Sequence, residues 1–564
     1  MPHPRPAPPA GRSRVSALVT AAVLALAACT PGGGAEDAQD GTAQPAPQEP
    51  PATVAVTRLP GETAVVDAAT PAEAAEAVSR ALFATAPVVV LAAEGEQLRG
   101  ASAAAALGVP VLVDGPGASA ELERLGAEVA LALGSVTDPG IEVVTPADDA
   151  ALAELVGAGD PVAVTAGEEA AEVAGLVAGQ ARLLVPAEQA GRSETDQPEP
   201  TGDDPGYAEE RDDLPVTAPA EPVTGALVLS TGATGHVAAL GSARAAGAEV
   251  LLDPDADPGA TSESVAAVAA AAPEVALALG EEFGDDATLD WRVAAAARSP
   301  ELPGGGQRVL PGKTYVALYG NPLTSALGVL GEQGPEATIE RAVAHAEPYE
   351  ELVDTTVVPA LEIIATVASA GAGADGNYSN EIPVSDLRPL VDLAGDSGQY
   401  VVLDLQPGRT DFVTQARLYE ELLREPHVGL ALDPEWRLGP QERHMVRIGQ
   451  VEVSEVNEVV DYLAELTRDH DLPQKLLVLH QFQVRMIPGA EDVDQSRPEV
   501  AVLIHADGQG PQGSKQDTWR ALHDHAPSMR FWGWKNFYDE DSPMLTPQQT
   551  IELVEPDPDF ISYQ

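Results

Sequence analysis

Asp433 and Glu435 stand two residues apart at the end of HVGLALDPEWRLGP, residues 427 to 440. In an extended strand, residues i and i+2 share a side, so both carboxyls can face one pocket. Pro434 between them removes an amide donor and fixes the chain beyond the last ladder bond. Neighbouring carboxyls disfavour joint ionisation, which lets one stay protonated as a general acid while the other carries charge. With Trp436 or Trp532 offering a flat face to a sugar ring, the chemistry these residues suit is glycosidic cleavage. A plainer use competes with it: Asp beside Pro is a common turn former, and Glu435 could pair with Arg437 or Arg409. Asp404 is a third catalytic candidate, because a charge near the end of the apolar run in YVVLDLQPGRTDF (400 to 412) must be paired or used.

His505 and Asp507 form an HxD pair that places two metal ligands on one strand face, and His480 on a neighbouring strand could supply a third. The spacing is generic and fits a hydrogen-bonded rim network equally well, so no metal and no cofactor is assigned. Gln406, His480, Gln483, His505, Asp507, Gln509, Trp532 and Trp534 are read as substrate-binding. GxSxG, Walker A, dinucleotide-type Gly clusters and HExxH are all missing from the sequence, which speaks against serine hydrolase, nucleotide and zincin chemistry. GGGQRVLPGKT is one residue too long for a phosphate loop and leads into a strand.

Seven apolar runs carry these residues: 314 to 320, 355 to 368, 400 to 406, 427 to 435, 475 to 482, 499 to 508 and 529 to 537, with ISY at 561 to 563 as a possible eighth. Helical stretches separate several of them, one opening at Asp411 and another at Ser454 as capping residues. This order over residues 313 to 564 predicts a (β/α)8-like barrel, a doubly wound sheet being the main alternative. Asn321, Gln481 and the candidates above fall at or just past the carboxy ends of the runs, the face on which barrels gather their chemistry.

Residues 54 to 300 have a different texture. Short apolar strands alternate with alanine-rich helices, the mark of small parallel α/β modules. EVALALG occurs at 128 to 134 and again at 274 to 280, which implies a duplication, with one module over 54 to 190 and another over 216 to 300. Between them, 191 to 215 carries nine acids against two arginines and reads as a linker. The opening RLPGETAVVDAATPAEAAEAVSRALFATAPVVVLA from Arg58, followed by GVPVLVDG, resembles the cell wall-binding repeat 2 family. That resemblance implies attachment to anionic wall polymers, an expectation in tension with the acidity of these modules.

Arg5, Arg12 and Arg14 precede the short apolar run VSALVTAAVLALAA, so residues 1 to 28 read as a signal peptide. LAAC at 26 to 29 resembles the lipobox of bacterial lipoproteins, which implies lipidation at Cys29, the sole cysteine, and anchoring to the extracytoplasmic face of the membrane. Residues 29 to 53 are Gly, Pro, Ala and acid, a disordered tether. The whole chain of 564 residues has a net charge of -57, which repels nucleic acid phosphates; neither nucleic acid nor nucleotide is expected as a partner. LDLQPGRTDFVTQARLYEELLREPHVGLALDPEWRL and KLLVLHQFQVRMI resemble an uncharacterised group of actinobacterial exported lipoproteins, which implies a surface location and no particular activity. Two functions stay open from the sequence: a carbohydrate-active domain cutting an envelope or extracellular polysaccharide, and a noncatalytic glycan-binding scaffold.

Overall fold

The computed structural model describes residues 52 to 189, 207 and 209 to 564. The signal segment, Cys29 and the tether up to residue 51 lie outside the described residues. Among those described, no helix is long and apolar enough to cross a membrane.

Eight parallel strands close into a barrel: β1 Lys313–Gly320, β2 Thr356–Ala368, β3 Tyr400–Leu405, β4 Val428–Leu432, β5 Lys475–Gln481, β6 Val500–Ala506, β7 Phe531–Asn536 and β8 Phe560–Tyr563. Each pairs with the next, and β8 pairs with β1. ISY is therefore the closing strand. Helices α1 Pro335–Ala346, α2 Val384–Asp396, α3 Phe412–Arg417, α4 Glu420–Leu423, α5 Val453–Asp469, α6 Gln512–His525 and α7 Pro547–Leu553 form the outer ring. Only short 3-10 turns join β5 to β6.

Strand alternation divides the apolar residues between two cores. Tyr315, Ala317, Val358, Ala360, Tyr400, Val402, Leu476, Val478 and Leu503 fill the barrel interior, while their neighbours in sequence pack outward against the helices. Asp411 caps α3 as its position suggests, accepting the Thr414 amide at 2.8 Å. Ser454 does not cap α5. That helix begins one residue earlier, at Val453, which packs on the outer core, so Ser454 lies inside the first turn.

Two four-stranded parallel sheets precede the barrel. Their strands run in the orders 111–113, 88–92, 129–133, 142–144 and 249–252, 226–230, 275–279, 64–66. The two EVALALG copies supply the third strand of each sheet, as a duplication requires. The fourth strand of the second sheet, Ala64–Val66, comes from the start of the chain. Helices Gln97–Leu107 and Val237–Ala245 cross between the sheets. Their approach is close enough that a Cβ on Gly241 would lie 2.4 Å from the Ala101 Cα, which explains why these helices are built from Ala, Gly and Ser. Trp291 of the second module donates its indole NH to the Leu472 carbonyl at 2.9 Å, tying the module to the barrel near the amino end of β5.

Candidate functional site

The register that fills the barrel with apolar side chains also sets what stands at its carboxy mouth. Counting by twos along the inward face gives Tyr319 on β1, Glu362 on β2, Asp404 on β3 with Gln406 just past its end, and Asp433 just past β4. The same count gives His480 on β5, His505 on β6 with Asp507 just past its end, Lys535 on β7 and Ser562 on β8. The chain turns into a single 3-10 turn, Pro434–Trp436, directly after Asp433, and this swings Glu435 and Trp436 over the same opening. A cavity of about 690 Å³ results, lined by Asp433, Glu435 and Asp507, by Gln406, Gln483, Gln509, Tyr319 and Lys535, and by the rings of Trp436, Phe482 and Phe537.

Beneath the cavity, His480 lies between two carboxylates, with Nε2 2.6 Å from Glu362 and Nδ1 3.0 Å from Asp507. Burial by itself would lower the imidazole, but the charges and hydrogen bonds of Glu362 and Asp507 outweigh it and hold His480 well above its ordinary range. Asp507 shows the reverse balance. Burial would raise it, and the hydrogen bond and charge of His480 keep it below the usual carboxylate value. His505 is driven well below its ordinary value by burial and by the nearby cations His480 and Lys535.

On the opposite wall the carboxyls move upward. Burial, then the charges of Glu435 and Asp404, keeps Asp433 well above the ordinary range. Burial raises Glu435 to about 7, with Asp507 as the next cause. Burial also raises Asp404 to about 6, although it accepts a hydrogen bond from the Tyr319 hydroxyl at 3.0 Å. One mouth thus holds carboxyls pushed in opposite directions, the condition under which acid and base roles separate.

The plainer reading of Glu435 does not describe its surroundings. Arg437 instead reaches Glu455 at 2.9 Å, and Arg409 donates to the Glu442 carbonyl at 2.8 Å, so Glu435 is in no ion pair among the described residues. The structure brings Asp404, Gln406, Asp433, Glu435, His480, Gln483, His505, Asp507 and Gln509 to this mouth.

Trp532 and Trp534 stand elsewhere, because β7 turns Phe531, Gly533 and Lys535 inward and the two indoles outward. Trp532 stacks on His523 of α6 at 3.5 Å, and Trp534 packs 5.7 Å from Trp519 on the same helix. Gln481 also falls in the outward register, and Asn321 is spent on a turn, accepting the Leu323 amide. The tryptophan that lines the cavity is Trp436.

Three site residues were not apparent from sequence as site residues: Glu362, Tyr319 and Lys535. Glu362 had a signal, a lone acid amid the apolar TTVVPALEIIATVA. Lys535 had only its register, hidden by the aromatics on either side. It is 3% exposed and lies 3.5 Å over the Tyr319 ring. Glu362 Oε2, Asp404 Oδ1, Asp433 Oδ1 and Asp507 Oδ1 are buried without a hydrogen-bond partner among the described residues, and His505 Nδ1 is buried without a well-formed one.

No protein-family model matches this chain, and no curated protein does. Among solved structures it is similar to Cwp6 from Clostridium difficile, with a TM-score of 0.30 and 11% identity, over 79% of this chain and 66% of that one. This chain thus spans just under two thirds of the length of that protein.

Proposed function

We propose that the barrel hydrolyses a glycosidic bond in an envelope or extracellular polysaccharide. The observation that carries this reading is the placement of Asp433, Glu435 and Asp507 around one cavity together with the partly exposed ring of Trp436. Glu435, mostly buried in the cavity wall and in no ion pair among the described residues, is the general acid and gives its proton to the leaving oxygen. Asp507 is the opposing carboxylate. One of its oxygens is held by His480, and the other has no hydrogen-bond partner among the described residues. Asp433 and Asp404, both held at raised values, stand beside the acid as neutral or shared-proton groups, and Asp404 positions the Tyr319 hydroxyl. Gln406, Gln483 and Gln509 hydrogen-bond sugar hydroxyls, and Trp436 carries a ring face.

The polymer is brought to the barrel by the two α/β modules as wall-binding units, and the chain is held at the extracytoplasmic face by a lipid on Cys29. Intact mass of membrane-extracted protein tests the anchor: an unmodified Cys29 removes it. For the chemistry, wild type, Glu435→Gln and Asp507→Asn are incubated with a panel of envelope and extracellular polysaccharides, and reducing ends are counted. Loss of about two to four orders of magnitude in either variant is expected for an acid–base pair. Binding without cleavage by the wild type, or equal turnover by the variants, overturns the proposal.

A further inference from the structure

We propose that Glu362, His480 and His505 bind a divalent transition metal of the zinc class, one inward layer beneath the cavity floor. The site goes beyond the glycosidase reading and stands or falls without it, since none of the three residues lines the cavity walls. Their ligand atoms all lie within 4.8 Å of one another, and all three side chains are fully buried.

The strongest argument is the way the two imidazoles are turned. A metal-bound histidine characteristically gives its other ring nitrogen to an oxygen, which fixes both the tautomer and the ring. His480 places Nδ1 3.0 Å from Asp507 Oδ2, and His505 places Nε2 3.2 Å from the Ser562 hydroxyl. In the tautomer that donates Nε2–H to the Ser562 hydroxyl, His505 Nδ1 carries a lone pair, and that buried atom makes no well-formed hydrogen bond to any described residue. His480 Nε2 meets Glu362 Oε1 at 2.6 Å, and the second oxygen of Glu362 is likewise unpartnered. A buried polar atom left unmatched bears its full desolvation penalty with no compensating bond. A cation among these atoms satisfies both orphans and takes the place of the proton between His480 and Glu362.

Packing agrees. The His505 ring fits only because position 533 is glycine, since a Cβ there would lie 2.7 Å from the ring. Two imidazoles and one carboxylate are a donor set for zinc or cobalt, with a fourth position left open, whereas magnesium and calcium prefer oxygen-only surroundings.

A chain with this many surface acids binds divalent cations loosely, so the test must separate one buried site from that background. Full-length protein is stripped with chelator, titrated with Zn2+ or Co2+ in excess Mg2+, gel-filtered and assayed for bound metal by mass spectrometry. The visible spectrum of the Co2+ form reports nitrogen ligation. One metal per chain is expected, with the bound stoichiometry lost in His505→Gln. Ser562→Ala removes only the orienting hydroxyl, and should weaken affinity about 10- to 100-fold while leaving circular dichroism unchanged. Its outcome decides the matter if His505→Gln fails to fold. Absence of stoichiometric metal in the presence of Mg2+, or stoichiometric metal that Ser562→Ala holds as tightly as the wild type, overturns the proposal.

Discussion

Glu435→Gln should stabilise the fold at alkaline pH while abolishing activity, and the size of the gain follows from the site. The glutamate has its folded value near 7 against an ordinary 4.5, raised mainly by burial. A carboxyl raised in the folded state holds its proton there after the unfolded chain has released it. Between those two values each rise in pH therefore weakens the fold. At pH 5 the folded carboxyl is still neutral and little has been lost. At pH 8 it is ionised inside the cavity wall, and the accumulated loss relative to pH 5 is about 2.5 kcal/mol. Glutamine is neutral throughout and escapes it. The repulsion generated by a net charge of -57 also changes over this range, but it is common to both proteins and cancels in their difference. Urea unfolding followed by tryptophan fluorescence, at pH 5 and pH 8, gives the quantity needed. The stability of the variant minus that of the wild type should grow by about 2 to 3 kcal/mol between the two pH values. A difference that stays constant with pH refutes the idea that the cavity holds Glu435 protonated, and with it the argument that this residue is the acid.

On the best polysaccharide, kcat/KM should fall as pH rises through about 7, because the acid must carry its proton into the reaction; a profile flat from pH 6 to 8 would remove Glu435 from that role. Trp436→Ala should weaken glycan binding by roughly 10-fold with an unchanged melting temperature. Trp532→Ala should do the opposite, costing about 3 to 5 kcal/mol of stability through the cavity left against α6 while binding is retained, and calorimetry beside a binding isotherm distinguishes the two. Gly241→Val should lower thermal stability by about 1 to 3 kcal/mol, since its side chain would meet the Ala101 backbone, as a melting curve would show.

The barrel was legible because each of its strands is a buried apolar run with a polar tip, and even ISY, three residues long, found its place between β7 and β1. The polar tips on β3 to β6 could be read because a charge that follows a continuous apolar run must be paired or solvated, and a shared mouth provides for both. β7 misled for a physical reason. FWGWKN advertises its indoles, yet Gly533 is the residue that fixes the register, by leaving room for the His505 ring. Aromatic bulk is thereby sent outward to α6, and Lys535 takes the inward place. Glu362 lies in the middle of a strand instead of at its tip, where no break in the apolar run marks it. The start of α5 could not be read from Ser454 alone, because packing of Val453 on the outer core decides where that helix begins. The interleaving of the two modules was invisible for another reason: Ala64–Val66 is three small residues whose partner strand lies more than 200 positions away.

That short strand limits how the chain can be cut. Thr53–Val54 pairs with Thr217–Ala218, and Ala64–Val66 completes the sheet built around Val275–Leu279, so the opening of the chain is fastened twice to its middle. A protease nick within residues 191 to 206 would leave both fragments clasped through these ladders. Expressing residues 54 to 190 alone would deprive the second sheet of its edge and strand the clasping segment in solvent. During synthesis the same fastening makes the first segment wait, unpaired, until some two hundred further residues have emerged, so it finds its place only once the second sheet has been made.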